Sequence, residues 1–236
     1  FIVVVVNAKQ VNEVLFGNQG VTSGPCEGKT VMLCPTIAPE DTLATAERLT
    51  SLGLGVIDAP ISGGPVRAEA GTMSIMLAGT DQLIAQHQAV LDALSDKIFR
   101  LGTRIGDGAR YKLVNNLLVA INIAATAEAM ALGLKAGVDV DLMIKAIANG
   151  SGGSTQFGIR APWMAQRKFH PVQGAASQLF HYFDMIKDWA DSTDTATPLL
   201  DRTIEVYEKC VEMGLDDSHD VAVLVDIVNS MKRQKS

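Results

Sequence analysis

The first hundred residues alternate short apolar runs with helical patterns, and this alternation restricts the possible folds more than any other feature of the chain. Apolar runs of four to six residues occur at 2–6, 30–34, 55–58, 74–78 and 98–101. Helical patterns occupy several of the stretches between them, at 11–16, 39–52 and 81–95. Short buried strands separated by helices predict a largely parallel sheet that is covered on both faces.

Strand signals disappear after Gly108. Apolar residues at helical spacing predict helices over 109–136, 139–149, 175–191, 198–213 and 218–231. Pro162 and Pro171 predict an irregular segment over 160–171, because proline disrupts a helix interior. We therefore expect an α/β fold in two domains. A Rossmann-type parallel-sheet domain over 1–104 would precede an all-α domain over 105–236, built around a long interdomain helix.

A loop with two adjacent glycines follows the third apolar run. Residues 58–65 have the sequence Asp-Ala-Pro-Ile-Ser-Gly-Gly-Pro, so the Ser62 hydroxyl precedes Gly63 and Gly64. Glycines in this position let a ligand approach the backbone closely. A hydroxyl beside free amides suits a small carboxylate or hydroxy acid. An ordinary strand-to-loop turn is the alternative interpretation.

A lysine and two asparagines lie near the start of the longest predicted helix. Lys112 and Asn116 are four residues apart and therefore share one helix face, with Asn115 beside them. A lysine on a helix is usually a solvated surface charge, but the neighbours of Lys112 are mostly small or apolar. An ammonium and a carboxamide one turn apart can hold and protonate an oxygen substituent of a substrate. This face is therefore a candidate for chemistry.

Together the two segments resemble the β-hydroxyacid dehydrogenase family, the relatives of 3-hydroxyisobutyrate dehydrogenase. The family's substrate loop has the sequence Asp-Ala-Pro-Val-Ser-Gly-Gly, from which this chain departs only at Ile61. Two long motifs in the right order and spacing make the resemblance specific, and it extends along most of the chain. The family's catalytic helix begins Gly-x-Gly-x-x-x-Lys-x-x-Asn-Asn, which is matched by Gly106, Gly108, Lys112, Asn115 and Asn116.

The resemblance implies a nicotinamide-dependent oxidoreductase that interconverts a small 3-hydroxy acid and its aldehyde or keto form, with NAD or NADP as cofactor. Lys112 would be the general acid/base, and Asn116 would orient both Lys112 and the substrate. The substrate carboxylate would be bound by Ser62, Gly63 and Gly64. The positions that correspond to the family's cofactor contacts are Val6, Asn7, Thr36 and His181. For Asn7 and Thr36, capping of the following helix is the alternative.

Two departures from the family concern the cofactor. The family begins with a strand and a Gly-x-Gly-x-x-Gly turn, which places a dinucleotide pyrophosphate at a helix N-terminus. These 236 residues contain no such turn and open directly in an apolar run. By comparison the Rossmann-type domain is truncated, and we expect the chain that starts at Phe1 to bind dinucleotide weakly or not at all. The second departure is at His181 and Tyr182, where the family has a Lys-Asp pair whose lysine lies near the nicotinamide.

Two other functions fit the same residues. A family scaffold without the pyrophosphate turn would be catalytically inactive and would act as a binding or dimerisation module. This becomes the better hypothesis if Phe1 is the genuine start of the translated chain. The other function is reduction of an imine-like substrate, against which the retained Lys112 argues.

Composition and charge restrict the binding partners and the cellular compartment that we expect for this chain. A net charge of −6 with no long basic run argues against binding to nucleic acid or to an anionic membrane. Three scattered cysteines and four dispersed histidines show neither a disulfide framework nor a metal-ligand spacing, which favours a reducing cytoplasm and no metal site. The opening apolar run is too short to span a bilayer and has no charged segment before it. We therefore expect neither an anchor nor a signal peptide.

The last hundred residues predict self-association. Residues 221–225, Val-Ala-Val-Leu-Val, are apolar on every side, which is more than a helix with one buried stripe requires. Such a surface normally packs against another subunit. We therefore expect a homodimer or homotetramer formed through the helical domain, as the resemblance also implies. Burial of the run within its own chain is the alternative.

Overall fold

The computed structural model describes residues 1–215 and 218–231. The chain forms two compact units, Phe1–Val114 and Asn115–Ser236. All six strands of the described residues belong to the first unit, and the second unit is built from helices. This agrees with the expected Rossmann-type domain followed by an all-helical domain.

The first unit is built on a six-stranded mixed sheet. Strands β1 (Ile2–Val3), β2 (Thr30–Leu33) and β3 (Gly55–Asp58) are parallel neighbours in that order. β5 (Ser74–Ala78) runs antiparallel to β3 and to the two-residue β4 (Ile61–Ser62), and β6 (Lys97–Gly102) runs parallel to β5. The Rossmann-type fold is confirmed, although the sheet is not all parallel. Only residues 63–73 join β4 to β5, and a parallel pair usually needs a longer, helical crossover.

Helices cover both faces of this sheet. They are α1 (Ala8–Phe16), α2 (Pro39–Ser51), α3 (Gly64–Glu69), α4 (Asp81–Gln86) and α5 (Gln88–Leu94). Alternate residues of β2 belong to different hydrophobic cores, because side chains in a strand point to opposite faces. Val31 and Leu33 pack with apolar residues of α1 and α2, whereas Met32 and Cys34 pack with those of α4 and α5. The centre of the sheet is therefore buried on both sides.

β1 lies at one edge of the sheet, with β2 as its only neighbour among the described strands. It is shorter than the predicted run at 2–6, since residues beyond Val3 leave the ladder before α1 begins. Apolar side chains remain in contact with solvent along this edge, and those that are at least 45% exposed are Phe1, Ile2, Val4 and Val6.

The second unit contains the remaining helices, and most of their bounds agree with the sequence prediction to within two residues. They are α6 (Asp107–Ala136, which begins in the first unit), α7 (Val140–Ala148), α8 (Thr155–Gln166), α9 (Ala176–Ser192), α10 (Pro198–Glu212) and α11 (Leu224–Ser230). α6 is long and apolar enough to cross a membrane by length and composition alone, with a mean hydropathy of 1.8 over its most apolar window. The core helix of a globular protein passes the same test, and 44% of that window is buried inside the protein.

Helix α8 contains Pro162, so the predicted irregular segment over 160–171 is wrong in its first half. A proline in a helix interior costs about 3 kcal/mol or more. Two features offset this cost. Ser154 caps the helix by accepting a hydrogen bond from the Phe157 amide at 3.0 Å, and the side chains of Phe157, Ala161 and Met164 are buried.

The apolar run at 221–225 is buried within its own unit, so it is not the surface through which subunits associate. Its five residues are between 0 and 6% exposed, in a 3₁₀ turn (Val221–Val223) and the first turn of α11. The turn packs against α8, and α11 packs against α10. The run is apolar on every side because helices of the same unit surround it.

Candidate active site

The three parallel strands end at a common edge of the sheet, and candidate residues follow each of these ends. The register pairs Val3, the last residue of β1, with Leu33 of β2, and pairs Leu33 with Asp58, the last residue of β3. Asn7 lies just beyond β1, Thr36 just beyond β2, and Ser62 four residues beyond Asp58. In open α/β sheets, ligands bind outside the carboxyl ends of parallel strands. The fold therefore gathers these candidates where a ligand is expected.

The first of these strand ends is accessible. Val6 is 66% exposed, and its amide donates a hydrogen bond to Oε1 of Gln10 at 2.8 Å. Asn7 caps α1, because its Oδ1 accepts a hydrogen bond from the Gln10 amide at 2.9 Å. The capping interpretation of Asn7 is therefore correct, and its Nδ2 is the side-chain atom left for another partner. Thr36, beyond β2, is buried.

The glycine pair is required by the backbone of the loop itself. Gly63 and Gly64 have φ values of 138° and 66°, which side chains rarely allow. A Cβ atom on Gly63 would lie 2.8 Å from the Arg67 side chain and 3.3 Å from the Cα of Met73. Ser62, which is half-buried, pairs with Ser74 across β4 and β5. The backbone of the turn therefore accounts for both glycines without a ligand. Both glycines are exposed, so a ligand could still reach them.

Lys112 lies in the second turn of α6, and it is only 7% exposed. Burial lowers the pKa of its ammonium from an ordinary value of 10.5 to about 8, and no carboxylate of the described residues counteracts this shift. A buried ammonium without an anionic partner destabilises the fold. Such a group suits proton transfer near neutral pH, because its two protonation states are close in free energy there.

Asn116 lies one turn further along α6 and is 5% exposed. Its Oδ1 accepts a hydrogen bond from Nδ2 of Asn115 at 3.2 Å. Its own Nδ2 is buried and has no acceptor within the described parts of the chain. Buried polar groups are nearly always hydrogen-bonded, so this donor needs an acceptor that a ligand oxygen could supply.

Asp58 holds the start of α6 against the end of β3. Its Oδ2 accepts hydrogen bonds from the amides of Gly106 at 2.9 Å and Ala109 at 3.2 Å. Burial raises the pKa of this carboxyl to about 6, against the lowering effect of the amides of Ala109, Gly106 and Gly108. Sequence reasoning did not assign Asp58 a role of its own. The available signal was a carboxylate inside the otherwise apolar strand 55–58.

The two glycines at the start of α6 make this contact possible. Gly106 has a φ of 92°. A Cβ atom on Gly108 would lie 2.7 Å from the carbonyl oxygen of Met76 and 2.9 Å from the carboxyl group of Asp58. Real Cβ atoms essentially never come so close to other atoms. The Gly-x-Gly spacing before Lys112 therefore follows from the close packing of helix, strand and carboxylate.

Two further residues belong to the second unit. His181, on α9, is exposed and forms a tilted ring pair with Tyr182 at 5.6 Å between centroids. Arg160, on α8, is buried, and its Nη1 donates to both carboxylate oxygens of Asp220, at 2.6 and 2.7 Å. The guanidinium of Arg160 is thus engaged within its own unit.

Two family models cover nearly all of the chain. Residues 1–102 match the NAD binding domain of 6-phosphogluconate dehydrogenase. Residues 106–227 match the model described as the NAD-binding part of NADP-dependent 3-hydroxyisobutyrate dehydrogenase. The two halves of the chain thus match models that both describe nicotinamide-dependent dehydrogenases.

Individual relatives agree with the family models. L-threonate dehydrogenase of Haemophilus influenzae is 39% identical over 199 residues, which are 84% of this chain and 64% of the relative. L-threonate dehydrogenase of Escherichia coli K12 is 34% identical over 223 residues, 94% of this chain and 74% of the relative. The crystal structure of 3-hydroxyisobutyrate dehydrogenase from Salmonella typhimurium has a TM-score of 0.87 at 30% identity, covering 96% of this chain and 78% of that one. The chain thus spans 64–78% of the lengths of these proteins, and it belongs to the β-hydroxyacid dehydrogenase family, the NAD(P)-dependent enzymes related to 3-hydroxyisobutyrate dehydrogenase.

Proposed function

We propose that the protein interconverts a small 3-hydroxy acid and its aldehyde or keto form, with Lys112 as the general acid/base. The observation that carries the proposal is the pair of buried donors on one face of α6. The Lys112 ammonium has no carboxylate partner, and Nδ2 of Asn116 has no acceptor, among the residues that the structure describes. A hydroxyl or carbonyl oxygen of a substrate would serve both groups.

In oxidation, the neutral amine of Lys112 takes the proton of the substrate hydroxyl, and in reduction the ammonium returns a proton to the carbonyl oxygen. A pKa of about 8 keeps both forms accessible near neutral pH. Asn116 donates to the same oxygen and so orients the substrate. The Ser62 hydroxyl and the backbone of Gly63 and Gly64 bind the substrate carboxylate.

When bound, NAD or NADP supplies the hydride acceptor or donor of the reaction. We propose that Val6, Asn7 and Thr36 contact it, because they follow the carboxyl ends of β1 and β2. The exposed Val6 fits such a role, as does Nδ2 of Asn7, which has no hydrogen-bond acceptor among the described residues. His181 is accessible on α9 and stands where the family has lysine. We further propose that the functional division falls between 104 and 105, just before α6, and that the enzyme works in the cytoplasm.

The test is a substrate assay with matched variants. L-threonate and 3-hydroxyisobutyrate are supplied with saturating NAD or NADP, and reduction of the nicotinamide is followed by absorbance. We expect Ser62→Ala to raise the KM for the hydroxy acid by about tenfold, with kcat changed by less than about threefold, because the lost hydrogen bond serves binding. Ser51→Ala is the control, since among the described residues the Ser51 hydroxyl donates to the Arg48 carbonyl within α2 itself. An inactive wild-type protein that still binds cofactor would favour the non-catalytic scaffold instead.

We also propose that the protein forms a homodimer or homotetramer through its helical unit. Because the run at 221–225 is buried, the surface must come from other side chains. Several leucines on the helices of this unit are more than half exposed: Leu118, Leu132, Leu142 and Leu199. Light scattering at micromolar concentration should give a multiple of the 25.1 kDa chain mass.

Charged variants test that assignment. Leu132→Glu should shift the mass towards the monomer, because a charge cannot be buried in an apolar interface without a large cost. Leu52→Glu, at a 45% exposed position of the first unit, should leave the mass unchanged. A clean monomer mass for the wild-type chain would refute the proposal.

A further inference from the structure

Asp58 occupies a position that the proposed reaction does not explain. It is 1% exposed at the end of a central strand, paired in register with Leu33 of β2 and Ala78 of β5. A carboxylate in such a place needs strong hydrogen bonds. It receives them from the amides of Gly106 and Ala109, which lie 48 and 51 residues further along the chain.

These bonds connect two segments that each carry a proposed site residue. Ser62 lies four residues after Asp58, on β4. Lys112 lies three residues after Ala109, which is about one turn, or roughly 4.5 Å of rise along the helix axis. Within the described ranges, no other side chain accepts a hydrogen bond from the amides of 106–109. Asp58 is therefore the described side chain that hydrogen-bonds the start of α6 to the sheet.

Close packing at Gly108 accompanies these hydrogen bonds. Gly108 presents bare backbone to both Asp58 and the carbonyl of Met76, and any side chain there would force them apart. Asp107, the first residue of α6, differs in this respect. Its carboxylate pairs with Arg104 and Arg110 of the same segment, at 3.3 and 2.9 Å, and it makes no such tie to β3.

We propose that Asp58 is a positioning residue for the reaction, which holds the first turn of α6 and thereby sets the place of the Lys112 amine against the loop of Ser62. It does not exchange protons with the substrate. The proposal rests on the role of Lys112 proposed above. It predicts that loss of the hydrogen bonds to Asp58 frees the start of α6, exposes Lys112 and misplaces its amine. The binding of substrate and cofactor should be kept.

The first measurement does not need turnover. The full chain is treated with an acylating reagent, and modification of each lysine is followed by mass spectrometry, with the exposed Lys9 and Lys145 as internal references. In Asp58→Ala we expect Lys112 to react at least about tenfold faster than in the wild type, since loss of even one of the two hydrogen bonds to this charged acceptor corresponds to about that change. Asp107→Asn should change the rate by less than about twofold.

The second measurement separates positioning from binding. In the dehydrogenase assay, Asp58→Asn should lower kcat about 10- to 100-fold, because a misplaced catalytic group loses orientation. The KM for the hydroxy acid should change by less than about threefold, since such a loss falls on the transition state. Gly108→Ala should reproduce both the kcat effect and the faster acylation. Its matched control is Gly158→Ala, because a Cβ atom there meets no atom within 4 Å.

The outcomes distinguish this proposal from the one on which it rests. Folded Asp58→Asn and Gly108→Ala proteins with unchanged Lys112 acylation and unchanged kcat would overturn it. If Asp58→Ala does not fold, Asp58→Asn and Gly108→Ala still decide the question. If the wild-type chain turns over no hydroxy acid, the proposed function fails, while the acylation rates still show whether Asp58 holds Lys112.

Discussion

Replacing Lys112 by alanine is expected to lower kcat by about 10²–10⁴, the usual contribution of a general acid or base. The loss should fall on kcat more than on KM, because the proton moves in the transition state. In the wild type, the rate of alcohol oxidation should rise with pH and level off above about 8, where burial places the pKa of Lys112. Steady-state kinetics from pH 6 to pH 10 measure both effects.

Lys145→Ala is the control for this variant, since Lys145 is exposed on α7. Equal and small effects of the two substitutions would contradict the assignment of Lys112. Lys112→Ala could lose most of its kcat while the wild-type rate shows no inflection near pH 8. Lys112 would then remain a residue of the site, but its titration would be excluded as the cause of the pH dependence.

Replacing Lys112 should lower activity but raise the free energy of unfolding. Lys112 has a pKa of about 8 in the folded protein and 10.5 as its ordinary value, so between these values the unfolded chain binds more protons. Wild-type stability should therefore rise as pH increases from 8 to 10.5. Lys112→Met should be more stable by about 3–4 kcal/mol at pH 7, at roughly 1.4 kcal/mol per pKa unit, and this gain should vanish above pH 10.5. Urea unfolding at pH 7 and pH 10 checks the sign.

Removing Asp220 is expected to have the largest effect on stability. Its carboxylate is fully buried and accepts hydrogen bonds from Nη1 of Arg160 and from the amides of Gln173, Gly174 and Ala222. Asp220→Ala leaves the buried guanidinium without its counter-charge, and Nε of Arg160 already has no acceptor among the described residues. Breaking a buried pair in this way costs about 3–5 kcal/mol.

The matched control is an exposed ion pair in the same unit. Arg202 and Glu205 interact at 2.8 Å with side chains that are 79% and 56% exposed. Glu205→Ala should cost less than about 1 kcal/mol, because solvent screens such pairs. Denaturant unfolding of both variants measures the difference. An Asp220→Ala protein within 1 kcal/mol of the wild type would show that the network is dispensable.

Local sequence patterns were sufficient for most of the helices and for the placement of Lys112 on α6. Apolar residues at helical spacing predict α6 to within two residues, and the i, i+4 spacing puts Lys112 and Asn116 on one face of it. The glycines at 63 and 64 are also visible in the sequence as a turn. In each case the deciding interactions lie within a few residues of one another, where propensity and spacing operate.

The features that could not be predicted depend on distant contacts. The bonds of Asp58 cross about fifty residues, so the sequence shows only an unexpected charge in an apolar strand. The run at 221–225 is apolar on every side, and composition does not say whether the same chain or another subunit covers it. Helix α8 continues through Pro162 because of burial, which local rules do not include. At residues 221–225 and at Pro162, tertiary packing overrides the local preference.

The exposed strand β1 decides how this protein should be handled in the laboratory. Among the described strands β1 pairs only with β2, so its other side can accept a further strand, and its solvent-facing apolar residues favour that pairing. Strand addition continues without limit, whereas a symmetric dimer closes at two copies. Scattering data collected over a dilution series will therefore separate a true quaternary structure from the onset of aggregation.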